Sequence, residues 1–237
     1  MRSLPARDNI RQQLSQDVAT YVRELIISGA IRKNEFIRIE TVAKAMSISN
    51  TPVREGLLLL QNENFVRLMP RRGFMVSGFS KEDIHDIFLV QGMLAGELAA
   101  RAAKRMTNDE IDGLSKIQVD HERAVAAGEP ATFSRTGHQF HRAINIAARS
   151  PRLANLLGSM TKQLPNRFYA ALEGQVQDTL DYHPRILEAI RARNAGEARQ
   201  LMHDHLVSAA DHLIELLKQQ GIWASSDGRS SESSTCS

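Results

Sequence analysis

A chain of 237 residues, 42% of them hydrophobic, can bury two cores, of about 80 and about 140 residues, but not three. Its one cysteine, Cys236, stands in a Ser-rich tail, which excludes an intrachain disulfide and leaves nothing to argue for an oxidising compartment. No stretch approaches the ~20 apolar residues of a bilayer span and the N-terminus is charged where a signal peptide is apolar, so the expectation is a soluble cytoplasmic protein with no membrane partner.

The formal net charge of +3 is unevenly spread: residues 1–78 hold 12 Lys+Arg against 7 Asp+Glu, a net of +5, and the remainder is net −2. A basic module followed by a mildly acidic one points to a polyanion as the partner of the first. Leu14, Val18, Val22, Leu25 and Ile26 recur at helical spacing up to Gly29, predicting the first helix. Thr41 is a candidate cap for a short second helix carrying Val42, Ala43 and Met46. After the turn Ser47-Ile48-Ser49, a third helix is predicted from Thr51 to Asn62, with Pro52 in its first turn. Phe65 to Met69 and Phe74 to Ser77 are β-prone and flank Pro70-Arg71-Arg72-Gly73, a hairpin with a basic tip. Three helices and a hairpin make a winged helix-turn-helix.

From Lys81 onward only helices are expected, at about 81–105, 107–127, 130–148, 151–173, 179–193 and 195–219. Thr107 with Glu110 reads as a capping box. The fold class is therefore mainly α: a winged helix-turn-helix domain over residues 1–78, an all-α helical-bundle sensor over 79–222, and a tail, 223–237, too poor in large apolar residues to order itself.

In a helix-turn-helix the second helix of the motif presents its N-terminal side chains to the major groove. Here these are Ser49, Asn50, Thr51 and Arg54. Hydroxyls and the helix N-terminus suit phosphates, whereas Asn50 and Arg54 suit either a bidentate contact to adenine or guanine or a phosphate contact. Arg71 and Arg72 at the hairpin tip would reach an adjacent groove or backbone, Gly73 allowing the tight turn, and Arg38 is a further phosphate candidate. An Arg54 salt bridge and a merely solvated Arg71-Arg72 turn are the plainer alternatives. Thr51-Pro52-Val53-Arg54-Glu55, Leu57, Leu60 and Pro70-Arg71-Arg72-Gly73 with Val76 resemble the GntR family of transcription regulators. The likeness runs on through Lys81-Glu82-Asp83-Ile84 into the sensor of its FadR-type (FCD) subfamily. Family members usually carry Arg where this chain has Asn50, so the expected operator departs from the common one.

Three histidines lie on apolar faces of separate predicted helices. His141 continues Phe133, Gly137, Ile144 and Ala148. His183 shares a face with Leu180, Leu187 and Ile190, and Pro184 is acceptable there if the helix has only just begun. His205 lies with Ala198, Leu201, Ala209 and Leu216, while His203 should face outward. Three converging imidazoles with an open position suit Zn²⁺, Ni²⁺ or a similar divalent ion; spacing alone fits three hydrogen-bonded core histidines equally. The resemblance implies that His141, His183 and His205 are the subfamily's metal ligands. It also implies an Asp one turn before the first of them, where this chain has Gly137. His138 is the neighbouring candidate for the lost ligand. Gln91 replaces an Arg of many relatives, and with Gly137 and His138 it marks the expected effector site.

The expected function is a ligand-responsive DNA-binding regulator, a repressor by preference. The resemblance implies a homodimer on a palindromic double-stranded operator, switched by a small organic effector such as a carboxylate. The alternatives are a metal-dependent hydrolase, for which no positioned general base is evident, and a helical interaction protein without DNA binding.

Overall fold

The computed structural model describes residues 6–165, 168–169, 172 and 176–223, with the backbone alone for 6–10 and 176–180. The tail from Ala224 on lies outside the described residues, as do 166–167, 170–171 and 173 of the helix expected over 151–173. Residues 81–216 form one compact unit, and those before them, with the chain from Leu217 on, form the other.

In the first unit α1 (Ala6–Ile27), α2 (Ile39–Met46) and α3 (Asn50–Asn62) are followed by β2 (Val66–Met69) and β3 (Gly73–Val76). α1 packs on α3, burying Val18, Val22 and Ile26 of the one with Val53, Leu57 and Leu60 of the other. Glycine at position 56 permits this approach: a Cβ there would stand 2.7 Å from Ser15 O and from Val18 Cβ. Ser47 closes α2 in the left-handed conformation (φ 57°), its N–H bonding to Ala43 O and Lys44 O, and so turns the chain into α3. Sequence periodicity missed β1 (Phe36–Ile37), which pairs with β3 and makes a three-stranded antiparallel sheet of order β1-β3-β2. α2 also begins before the Thr41 cap expected of it, with Arg38 at its N-cap and no side-chain cap bond. At the hairpin tip both Arg71 (φ 61°) and Gly73 (φ 92°) are left-handed; glycine adopts this without strain and arginine does not. Trp223, expected at the start of the tail, donates its Nε1–H to Phe79 O at 2.8 Å.

The second unit is helical: α4 (Lys81–Arg105), α5 (Asn108–Ala126), α6 (Pro130–Ala147), α7 (Pro151–Thr161), α8 (Val176–Arg191) and α9 (Ala195–Gln219), which runs past its end. Both bonds of the Thr107–Glu110 capping box form, and Pro130 and Pro151 occupy first turns, where the missing N–H costs nothing. Leu98, Ala102, Phe140, Ile144, Ile186 and Met202, drawn from four helices, meet in one core. Two expectations fail here. α7 stops at Thr161, before the Leu164-Pro165 step that disfavours helix. α8 begins at Val176, so Pro184 lies within the helix rather than at its start, at the expense of one backbone hydrogen bond.

Candidate functional site

The recognition elements of the first unit are exposed. Ser49 caps α3 in an extended conformation, and Asn50, Thr51 and Arg54 lie solvent-facing in its first turns. Among the described residues Arg54 makes no ion pair; the carboxylate beside it, Glu55, is bound by Arg11 and by the Ser15 hydroxyl at 2.8 Å, which lower its pKa from the ordinary carboxylate value. Arg38 and Arg71 are likewise exposed, with no side-chain hydrogen bond among the described residues. Arg72 differs: its guanidinium sits 4.5 Å from the centre of the Phe36 ring, a cation–π contact that holds the wing tip against β1. A cationic edge formed by a helix N-terminus and a hairpin tip matches the two contact elements of a winged helix on DNA.

In the second unit His141 of α6, His183 of α8 and His205 of α9 converge, offering one ligand atom each within 4.8 Å of one another. His183 Nε2 lies 3.3 Å from His141 Nε2, close to the ~3.3 Å edge of a tetrahedron with ~2.0–2.1 Å Zn–N bonds. The His141 and His205 rings are parallel within 2°, centres 5.3 Å apart. Burial, then repulsion from His205, His138 and His121, pushes His141 down to about 3, although its ring opens onto a cavity. Burial, then His121, pushes His205 to about 4, and burial, then His205 and His141, puts His183 well below its ordinary value. All three are therefore neutral at physiological pH, with lone pairs to give. Among the described residues Nδ1 of His183 and Nδ1 of His205 are buried without a hydrogen-bond partner, an unsatisfied state uncommon in native cores. The donor set and its spacing fit a divalent ion: the triad can hold a metal.

The triad faces a cavity of about 760 Å³ lined by residues of α4, α6, α7, α8 and α9. Arg142, Arg149 and Lys162 stand in its wall, and the described lining residues include no Asp or Glu. Arg149 is paired with Glu110 at 2.6 Å, whereas no described ion pair engages Arg142 or Lys162. Gln91 lines the cavity, its amide donating to Tyr169 Oη at 2.9 Å, and that hydroxyl donates to Thr161 O at 3.1 Å. His138 is exposed and also lines the cavity but does not join the ligand cluster; around α6 it points about 100° away from position 137 and about 60° away from His141. Gly137 is buried in α6 and is not among the described lining residues. His203 is half-buried and bonded to Asp204 at 3.0 Å, outside the cluster as its register predicts.

Sequence reasoning missed Arg142 and Lys162, ordinary cations on helix surfaces, and His121 on α5. His121 is 1% exposed, with its ring centre 5.3 Å from that of His183. Its signal was present, since Ile111, Leu114, Gln118 and His121 share one buried helix face.

Residues 14–76 match the bacterial regulatory proteins, gntR family, and residues 86–208 match the FCD domain. The chain is 27% identical over 212 residues to the gluconate operon transcriptional repressor of Bacillus subtilis, covering 86% of each protein. It is 24% identical over 234 residues to the Uxu operon transcriptional regulator of Escherichia coli, covering 90% of this chain and 91% of that one. Among solved structures, E. coli McbR/YncC is similar in fold, with a TM-score of 0.56 at 20% identity over 88% of this chain and 98% of that one. Among the described residues no helix is long and apolar enough to cross a membrane. Regulators rather than enzymes surround it, and a winged helix joined to an FCD bundle makes the chain a DNA-binding transcription regulator of the GntR family.

Proposed function

We propose that the sensor unit holds one divalent ion, Zn²⁺, Ni²⁺ or similar, on His141, His183 and His205, and that an anionic organic effector, a carboxylate by class, fills the cavity above it. The observation that carries this is the convergence of three neutral imidazoles on a cavity whose described walls bring cations and no acid. Three imidazoles leave the ion its full charge, because Gly137 brings no carboxylate. An anion in the open position would neutralise that charge, while Arg142 and Lys162 attract its other end. Gln91, tied to Tyr169, offers hydrogen bonding in place of a second charged clamp. The gluconate-operon relative adds support, gluconate being a hydroxycarboxylate. In the first unit Ser49, Asn50, Thr51 and Arg54 would enter the major groove, with Arg38, Arg71, Arg72 and Gly73 on backbone or minor groove, in a homodimer on a palindromic operator. An effector that binds the two DNA-competence states unequally shifts operator affinity by that difference and no more. Repression is the mode named for the gluconate-operon relative and the one adopted here.

The test is metal content and stability together. Apo-protein soaked in Zn²⁺ and desalted should hold about one equivalent and melt higher than the apo-protein, since an ion bound only by the native state stabilises it. His183→Ala should abolish both effects. Less than a tenth of an equivalent in the wild type would refute the metal site. Operator titrations with a panel of mono-, di- and tricarboxylates then test the effector class, and an unmoved affinity across the panel would refute it.

A further inference from the structure

His121 belongs to no part of the proposed metal triad, yet its surroundings define its protonation with unusual completeness. Its Nδ1 lies 3.1 Å from Phe133 O and 2.9 Å from Thr136 Oγ1. A carbonyl only accepts, so the contact to Phe133 requires the proton on Nδ1. The Thr136 hydroxyl has its own acceptors, Thr132 O at 3.0 Å and Phe133 O at 2.9 Å, and so presents a lone pair rather than a hydrogen to the ring. His121 is thereby held as the tautomer with a bare Nε2, an acceptor for which the described residues supply no donor.

The group that needs an acceptor is adjacent. If His183 turns Nε2 toward the ion, as its 3.3 Å approach to His141 Nε2 favours, its proton must sit on Nδ1, and that atom is buried without a partner among the described residues. Ligating histidines almost always give their second N–H to an acceptor, which fixes ring orientation and raises ligand basicity. The His121 and His183 ring centres are 5.3 Å apart and tilted by 43°, against the ~5.2 Å expected for two imidazoles joined by an N–H···N bond of about 2.9 Å. The separation of the ring centres therefore allows one N–H···N bond between the two rings.

Resting on the proposed triad, we propose that His121 is a positioning residue for the metal site, its Nε2 accepting Nδ1–H of His183 so that a relay runs from Phe133 O through two imidazoles to the ion. α5 and α6, which hold the His121 end of that relay, would thus be tied to metal occupancy through α8. His121 takes the place that a carboxylate or backbone carbonyl behind the ligand fills at other histidine metal sites, and it does so without adding negative charge.

The experiment uses the full chain loaded with Zn²⁺, with histidine rings labelled by ¹⁵N. The wild type should show one slowly exchanging Nδ1–H for His183, coupled across the hydrogen bond to His121 Nε2. In chelator competition His121→Leu should lose about 10- to 100-fold in Zn²⁺ affinity, and His121→Gln, whose carbonyl can accept, should recover most of it. The Co²⁺-loaded protein should keep its visible absorption bands in both variants, because the ligands themselves do not change. Altered bands in His121→Leu would make His121 a direct ligand and overturn the positioning role. So would wild-type affinity in that variant, or a His183 Nδ1–H with no coupling to His121. The coupling is measured on the wild type, so a variant that fails to fold leaves the proposal open to refutation. Wild-type protein that takes up no Zn²⁺ would overturn the triad and the relay together, whereas the other failures leave the triad standing.

Discussion

Gly56→Ala should separate the two helices that define the DNA-reading head. The added Cβ would lie 2.7 Å from Ser15 O, Val18 Cβ and Val18 Cγ1. Two of these atoms are backbone or fixed to it, so no side-chain rotation relieves the contact, and α1 must withdraw from α3 by about 0.7 Å to reach ordinary contact at 3.4 Å. Overpacking of this kind costs ~3 kcal/mol at the upper end of its usual range, and replacing a helical glycine with alanine returns ~1 kcal/mol. The net expectation is a loss of about 2 kcal/mol from the first unit. The control is Gly113→Ala in α5, where a Cβ meets nothing within 4 Å and the same propensity gain of ~0.5–1 kcal/mol should appear unopposed. Urea unfolding followed by far-ultraviolet circular dichroism reads both. Operator affinity of Gly56→Ala should fall as well, since Asn50 and Arg54 ride on the displaced helix. A Gly56→Ala protein as stable as the wild type would refute the claim that close α1–α3 packing positions the reading head.

Arg54→Ala should cost about 1–3 kcal/mol of operator binding if it reads a base, measured by fluorescence anisotropy at fixed salt; unchanged affinity would remove Arg54 from the reading head. Glu110 accepts from Thr107 N–H and from Arg149, which hold its pKa below the ordinary carboxylate value. Its contribution is therefore complete above the unfolded pKa of about 4.3 and lost as pH falls through the folded one. The stability gap between wild type and Glu110→Gln should accordingly close on acidification, and a gap that widened below pH 4 would contradict the assignment. Gly137→Asp would place a carboxylate one turn before His141 and should tighten Zn²⁺ several-fold in chelator competition while weakening the effector response; equal affinities would show that position 137 does not adjoin the ion.

The helices were legible because their signals are local: the Thr107–Glu110 box, Pro130 and Pro151 in first turns, and the apolar stripes of α1, α3 and α6. What escaped depends on tertiary contact. β1 is two residues long and owes its existence to pairing with β3, so no periodicity announces it. Missing it hid the partner of Arg72 as well, because the Phe36 ring that the guanidinium covers belongs to that strand. Pro165 was a readable stop for α7, overlooked because the apolar spacing continues past it. Pro184 inside α8 was not readable, since propensity alone argues against it and packing of Ile186, Leu187 and Ile190 into the core outweighs the loss.

The histidines separate two kinds of legibility. His141, His183 and His205 could be picked out by asking which imidazoles lie on apolar helix faces, and the structure brings those three together. The same question asked of α5 would have returned His121, but the answer would have carried no role. What gives it one is the pair of acceptors that fix its proton, Phe133 O and Thr136 Oγ1, and both come from another helix. A side chain's position in a helix is thus written in its own neighbourhood of the sequence. Its tautomer, and with it the direction in which it can pass a hydrogen bond, is written in its partner's.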